Sequence, residues 1–203
     1  MLRRLLLQSS FLTLAGCSIL PERPPLKLYS ISLGAPTYRN SISKRRLSSV
    51  RVNPPMVAEP YDSSKIYVLG EDNRMFNTEI SQLVSTPSQI IAAAIREKLS
   101  AGGPWRIVLL PNSIAQFDYQ LTIFISEFYI SAVSKPYQAK VALQASVTTT
   151  AFDKLVYQRQ FSAASDIEKA EIPLAVKGLE NALNTVLNEL TVSLNKSVLH
   201  DFT

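Results

Sequence analysis

Residues 117–152 read FDYQLTIFISEFYISAVSKPYQAKVALQASVTTTAF. In the second half, Ala139, Val141, Leu143, Ala145 and Val147 alternate with Lys140, Gln144, Ser146 and Thr148. Successive strand side chains point to opposite faces, so a period of two predicts a long strand over residues 137–152, apolar on one side and polar on the other. The first half, residues 117–133, carries Tyr119, Leu121, Ile123 and Ile125 on one face and then Phe128 and Ile130 out of phase with them. A slip of one residue near Ser126 and Glu127 is what a β-bulge produces, and segments this long must twist or bend. The two segments join around Ser134-Lys135-Pro136, and residues 155–161 add a third strand after a turn at Asp153-Lys154.

Working outward, Val176, Leu179, Leu183, Val186, Leu187, Leu190 and Leu194 mark an amphipathic helix. At roughly 25 residues and 1.5 Å per residue it reaches about 37 Å, long enough to cover the apolar face of the meander. Upstream, residues 105–110 form an apolar run of strand length between Pro104 and Pro111. Before it, Thr86-Pro87-Ser88-Gln89 supplies a capping threonine, a proline at the first helical position and a glutamine three residues after the cap. Ile91, Ile95 and Leu99 follow on one face, with Ile90 and Ala94 beside them, and Gly102-Gly103-Pro104 ends the helix. Residues 65–69 read as a short strand turning at Gly70-Glu71-Asp72-Asn73, residues 53–60 as a break, and residues 26–31 and 47–52 as strands separated by a loop. The expectation is an α/β fold, a mixed and largely antiparallel sheet with two main helices packed on one face.

The N-terminus reads differently. Arg3 and Arg4 precede an apolar stretch of about a dozen residues, too short for the roughly 20 needed to span a bilayer, and the pattern is that of a secretory signal peptide. Leu14-Ala15-Gly16-Cys17 resembles the bacterial lipobox, in which the chain is cut before the cysteine and its sulfur acquires a diacylglyceryl group. Residues 1–16 are then the signal, residues 17–26 a lipidated tether stiffened by Pro21, Pro24 and Pro25, and residues 27–203 the domain. Two or more acyl chains hold a protein stably on a membrane where one does not. Ser18 stands where an inner-membrane retention signal would have Asp, which favours the outer membrane.

Composition narrows the function. The net charge of +5 falls by two when Arg3 and Arg4 are removed, and the one dense basic run, Lys44-Arg45-Arg46 with Arg39 and Arg51 nearby, reads as a solvated loop and strand end. Nucleic acid is not an expected partner; a weak attraction to anionic head groups is the useful version of that signal. With the single cysteine acylated, no disulfide contributes to stability. His200, the only histidine, lies near the C-terminus, and no nucleophile has an imidazole partner in view. Glu71-Asp72, Asp118, Glu127, Glu168 and Glu171 are scattered, with no metal-ligand spacing, and the glycines at 102 and 103 follow a helix instead of opening one. The reading is non-enzymatic, with no catalytic residue, metal or cofactor. A carrier holding one apolar ligand between helices and sheet, and a hydrolase built on acids paired by folding, remain as alternatives.

The order of these segments resembles the ABC-type transport auxiliary lipoprotein family of the PqiC/YmbA type over nearly the whole chain after Cys17. The likeness is carried by Lys27-Leu28-Tyr29-Ser30-Ile31, Val50-Arg51-Val52-Asn53-Pro54-Pro55 and Ile66-Tyr67-Val68 with Asn77. Ser85-Thr86-Pro87, Phe117-Asp118-Tyr119-Gln120-Leu121, Arg159-Gln160-Phe161 and the helix from Ala182-Leu183 to Glu189-Leu190 complete it. Leu83 stands where such proteins commonly have tryptophan. The resemblance implies an outer-membrane lipoprotein facing the periplasm. It implies a homo-oligomer that partners an MCE-domain protein of an ABC transporter moving lipids, phospholipids foremost, across the Gram-negative envelope.

Overall fold

The structure, a computed structural model, describes residues 24–33, 47–151 and 154–197. In chain order the elements are β1 (Lys27–Tyr29), β2 (Leu47–Val52), β3 (Met56–Val57), β4 (Lys65–Leu69), β5 (Met75–Leu83), α1 (Pro87–Gly102), β6 (Trp105–Leu109), β7 (Tyr119–Ser131), β8 (Tyr137–Thr149), β9 (Leu155–Ile167) and α2 (Ile172–Ser197). All nine strands belong to one sheet. It is mixed and largely antiparallel by residue pairs, as the alternation predicted.

Strand β7 organises it. One edge pairs antiparallel with β8 along its whole length, and β8 pairs antiparallel with β9. The other edge takes three short strands in succession, all parallel: β2 at Tyr119–Leu121, β3 at Phe124–Ile125 and β4 at Ile130–Ser131. Beyond β2 lies β6, and beyond β4 lie β5 and then β1. The slip read from the sequence is present: Ile125 pairs with Leu143 and Glu127 with Ala142, which leaves Ser126 as the extra residue. Each apolar set therefore stays on the helix side, with Leu121, Ile123 and Ile125 before the bulge and Phe128 and Ile130 after it.

Two elements were not foreseen. Strand β3 occupies two residues of the segment read as a break. Strand β5 has no clean period because its pairing is irregular: Asn77 pairs with Tyr67 and Gln82 with Lys65, so four residues of β5 face Ile66 alone. Elsewhere β9 runs on to Ile167, β8 stops at Thr149 and β1 keeps only three residues. Asp153 of the expected turn and residues 34–46 of the expected loop lie outside the described residues.

Both helices cover the same face. In α1 the buried positions are Ile91, Ala94, Ile95 and Leu99, the face predicted, and the N–H of Thr86 donates to Gln89 Oε1 at 3.3 Å at its start. In α2, Leu179, Leu183, Val186, Leu187, Leu190 and Leu194 are all at most 1 % exposed, each contributing about 1.5–3 kcal/mol against an exposed state. Polar groups tie the helices together: Lys98 Nζ donates to Asn184 Oδ1 and Asn188 Oδ1, and Asn195 Nδ2 donates to the Gly102 carbonyl at 2.8 Å. Burial pushes the Lys98 ammonium below its usual pKa, and neighbouring Glu97 pulls the other way.

Helix and sheet come close at Gly178, where a Cβ would lie 3.0 Å from Ala139 Cβ and 3.1 Å from Ile167 Cγ1. Neither neighbour can swing away, since both are buried and one is a methyl on the backbone. Gly178→Val is therefore expected to overpack this contact and cost about 1–3 kcal/mol, read as a lower urea midpoint with an unchanged slope.

Candidate docking surface

No groups of three or more His, Cys, Asp or Glu side chains among the described residues are placed to hold a metal, and no described helix is long and apolar enough to cross a membrane. Leu14, Ala15, Gly16, Cys17 and Ser18 lie outside the described residues, as do His200 and the basic run at residues 44–46. The candidate acids are spread out. Glu71 and Asp72 sit in the β4–β5 turn, where Asp72 pairs with Arg74 at 2.9 Å, and Glu168 and Glu171 flank the exposed turn before α2.

Asp118 has a structural partner that sequence spacing hides. Ser49 Oγ donates to its carboxylate at 2.6 Å, and the Asp118 N–H donates back to Ser49 Oγ at 3.1 Å, clamping the middle of β2 to the start of β7. Next to it the Arg51 guanidinium lies 3.9 Å over the Phe117 ring, which serves in place of a hydrogen-bond partner for Arg51 Nε. Asn53 continues the seam, its N–H donating to the Leu121 carbonyl and its Nδ2 to Thr122 Oγ1. Glu127, in the bulge, faces an aromatic cluster instead of another acid. Tyr61 stacks on Tyr129 at 5.8 Å and meets Tyr67 edge-on at 6.0 Å. Burial raises the pKa of Tyr61 and Tyr129, with Glu127 adding to both and Tyr129 adding to Tyr61.

Between helices and sheet the described residues pack as one hydrophobic core. A cleft lies outside it, along residues 29–33 and one flank of α1. Its volume is about 320 Å³, lined by Tyr29, Ile31, Leu33, Val84 and Ile90, with Glu97 at its side. That is the low end of the range for small-molecule sites.

What remains is the far face of the meander. Gln120, Thr122, Gln144, Ser146, Thr148, Gln158, Gln160 and Ser162 share one end of it in paired rows, without a charge among them, while Glu127, Lys140 and Asp166 lie on the same face toward the other end. Phe124, 40 % exposed, pairs with Met56, 56 % exposed, in the midst of these amides and hydroxyls. An uncharged polar field on rigid strands with an aromatic and a methionine in it has the composition of a protein-binding surface.

A sequence model of the ABC-type transport auxiliary lipoprotein component matches residues 29–191. The chain belongs to that family. Its members are lipoproteins, which makes this a membrane-anchored protein of the cell envelope that serves a transporter. The family region begins at the last residue of β1 and ends within α2, so it takes in the whole described sheet apart from the first residues of β1. Protein XCC0632 from Xanthomonas campestris is similar in structure at 18 % identity, with a TM-score of 0.73 over 85 % of this chain and 97 % of that one. The hypothetical protein CT253 from Chlamydia trachomatis is similar at 8 % identity, with a TM-score of 0.55 over 75 % and 98 %. Both likenesses concern the fold. No curated protein matches the chain.

In this auxiliary lipoprotein the resemblance motifs turn out to be joints: Phe117-Asp118 and Arg51 through Asn53 form the β2–β7 seam, and Arg159 donates to Ser193 Oγ of α2 at 3.1 Å. Tyr157 OH donates to the same oxygen at 2.9 Å. Burial raises the Tyr157 pKa too, partly offset by Ser193 and Arg159. A raised tyrosine pKa means that above about pH 10 the unfolded chain has released protons the native one still holds, so stability falls as pH rises. The urea midpoint is expected to stay level from about pH 8 to 9.5 and to drop above about pH 10. Tyr61→Phe is expected to make that drop shallower.

Proposed function

We propose that this protein is a non-enzymatic docking component of an MCE-type ABC system that moves lipids, phospholipids foremost, across the Gram-negative envelope. Cleavage after Leu14-Ala15-Gly16 makes Cys17 the first residue, and acyl chains on its sulfur fasten the chain to a membrane. Ser18 directs it to the inner leaflet of the outer membrane. Residues 17–26 are the tether and residues 27–203 the domain, which self-associates and receives the transporter's MCE-domain protein.

The observation that carries this reading is the family match over residues 29–191, beginning shortly after a cysteine in lipobox context. Two features support docking over carrying or catalysis. The helix–sheet interior is packed by side chains, and two of the candidate acids serve local joints: Asp118 is taken by Ser49 and Asp72 by Arg74. No step in this role makes or breaks a bond.

Two measurements test it. Cys17→Ser is expected to leave the outer-membrane fraction and accumulate as unacylated precursor. In wild-type cells, crosslinking followed by purification of this protein is expected to recover an MCE-domain protein. Normal outer-membrane fractionation of Cys17→Ser would refute the anchor, and repeated crosslinking without an MCE protein would refute the partner.

A further inference from the structure

Strand β1 is an edge: among the described residues it pairs with β5 alone, in the register Lys27–Ser81, Leu28–Gln82 and Tyr29–Leu83. Ser81 and Leu83 are buried toward the core, so the alternate positions look the other way. On that outer side Leu26, Leu28, Ile80 and Val84 are between 41 % and 60 % exposed. Leu26 and Leu28 stand two residues apart on one segment, and Ile80 and Val84 flank Gln82 on the next, so the four surround one half-buried glutamine. Large apolar side chains scattered singly over a surface need no explanation, whereas a contiguous group marks a place that something covers.

We propose that this corner lies against the membrane to which the chain is anchored, with Leu26, Leu28, Ile80 and Val84 entering the lipid interface as a second contact beside the acyl chains. The contact rests on the anchor at Cys17 in the proposed function and fixes which side of the domain faces lipid.

The path of the chain names the occupant. Leu26 is at once the first of the four side chains and the end of the tether, nine residues after Cys17. At about 3.1 Å per residue a proline-stiffened tether of this length reaches about 28 Å, so the point where it joins the corner stays within that distance of the acyl chains whichever way the domain turns. So short a link gives the second contact a high effective concentration, and a few half-exposed side chains suffice where a free domain would need a larger patch. The charges fit a lipid surface as well. β1, β4 and β5 carry Lys27, Lys65 and Glu79 as their charged residues, a small positive excess, with Lys65 opposite Gln82 and Glu79 beside Ile80. A lysine stem lies along apolar surface while its ammonium reaches the head groups, and the excess suits a bilayer containing some anionic lipid. β4 and β8 flank opposite edges of β7, so lipid contact at β1 and β5 leaves the Gln, Ser and Thr rows open to a protein partner.

The test uses the full-length lipidated protein reconstituted in vesicles of phosphatidylethanolamine and phosphatidylglycerol, where acylation of Cys17 leaves no native thiol. A fluorophore is attached in turn at Leu28→Cys, at Val84→Cys and, as a control of similar exposure at the opposite end of the strand order, at Ile107→Cys on β6. All three replace exposed side chains, so each variant is expected to fold. Lipid carrying a nitroxide on its head group is expected to quench the labels at 28 and 84 several-fold more than the label at 107, and aqueous iodide is expected to do the reverse. Labels at 28 and 84 shielded from iodide yet untouched by nitroxide lipid would mean that protein, a second copy or another chain, covers the corner, and would overturn the lipid contact. Equal quenching at all three positions would overturn it too. In both cases flotation of the protein with the vesicles leaves the anchor standing, whereas a chain that fails to float with them overturns the anchor and this contact together.

Discussion

The bulge at Ser126 is the constraint on which the architecture depends. β7 must present Leu121, Ile123 and Ile125 to the helices in its first half and Phe128 and Ile130 in its second, and strict alternation cannot do both. One extra residue restores the phase. It also bends and twists the strand, and the parallel partners on the other edge change there: β2 and β3 lie before the bulge and β4 after it. A strand kept in phase along thirteen residues then lets one 26-residue helix close the whole meander.

The joints around this core explain why the residues shared with the family look functional in a linear reading. Asp118 is a carboxylate with a hydroxyl 2.6 Å away, yet both groups are occupied in holding β2 against β7. Arg159 and Tyr157 converge on Ser193, which fixes the end of α2 over the last strand. Ser49, Tyr157 and Ser193 are buried, and removing their partners leaves them unsatisfied. Catalysis would need such groups aimed at a cavity; here they are aimed at one another. The face left free for partners is polar, with Gln, Ser and Thr rows at one end and Glu127, Lys140 and Asp166 toward the other.

Much of this was legible locally. The alternation of Ala139 through Val147 and the phase slip before Phe128 give the meander, because side-chain direction in a strand follows directly from sequence position. Thr86 through Gln89 mark the start of α1, because capping is a matter of neighbouring residues. Strand β5 was not legible, since its bulge opposite Ile66 destroys the period that sequence reading relies on. The Ser49–Asp118 clamp and the Tyr61–Tyr67–Tyr129 cluster were not legible either: the first joins residues 69 positions apart, and the second draws on three separate segments. The proposed anchor at Cys17 is the converse case, read wholly from its immediate neighbours and lying outside the described residues.

The three-residue ladder of β1 on β5 has a mechanical consequence. With the proposed anchor at Cys17, tension between membrane and partner enters through this strand first, because it is the first strand of the chain. Pulled along its own direction, β1 is loaded in shear, and with so few rungs it yields before the long ladders of β7, β8 and β9. The sheet keeps its remaining eight strands while slack is paid out to the anchor, so a short and poorly secured first strand acts as a strain relief for the domain behind it.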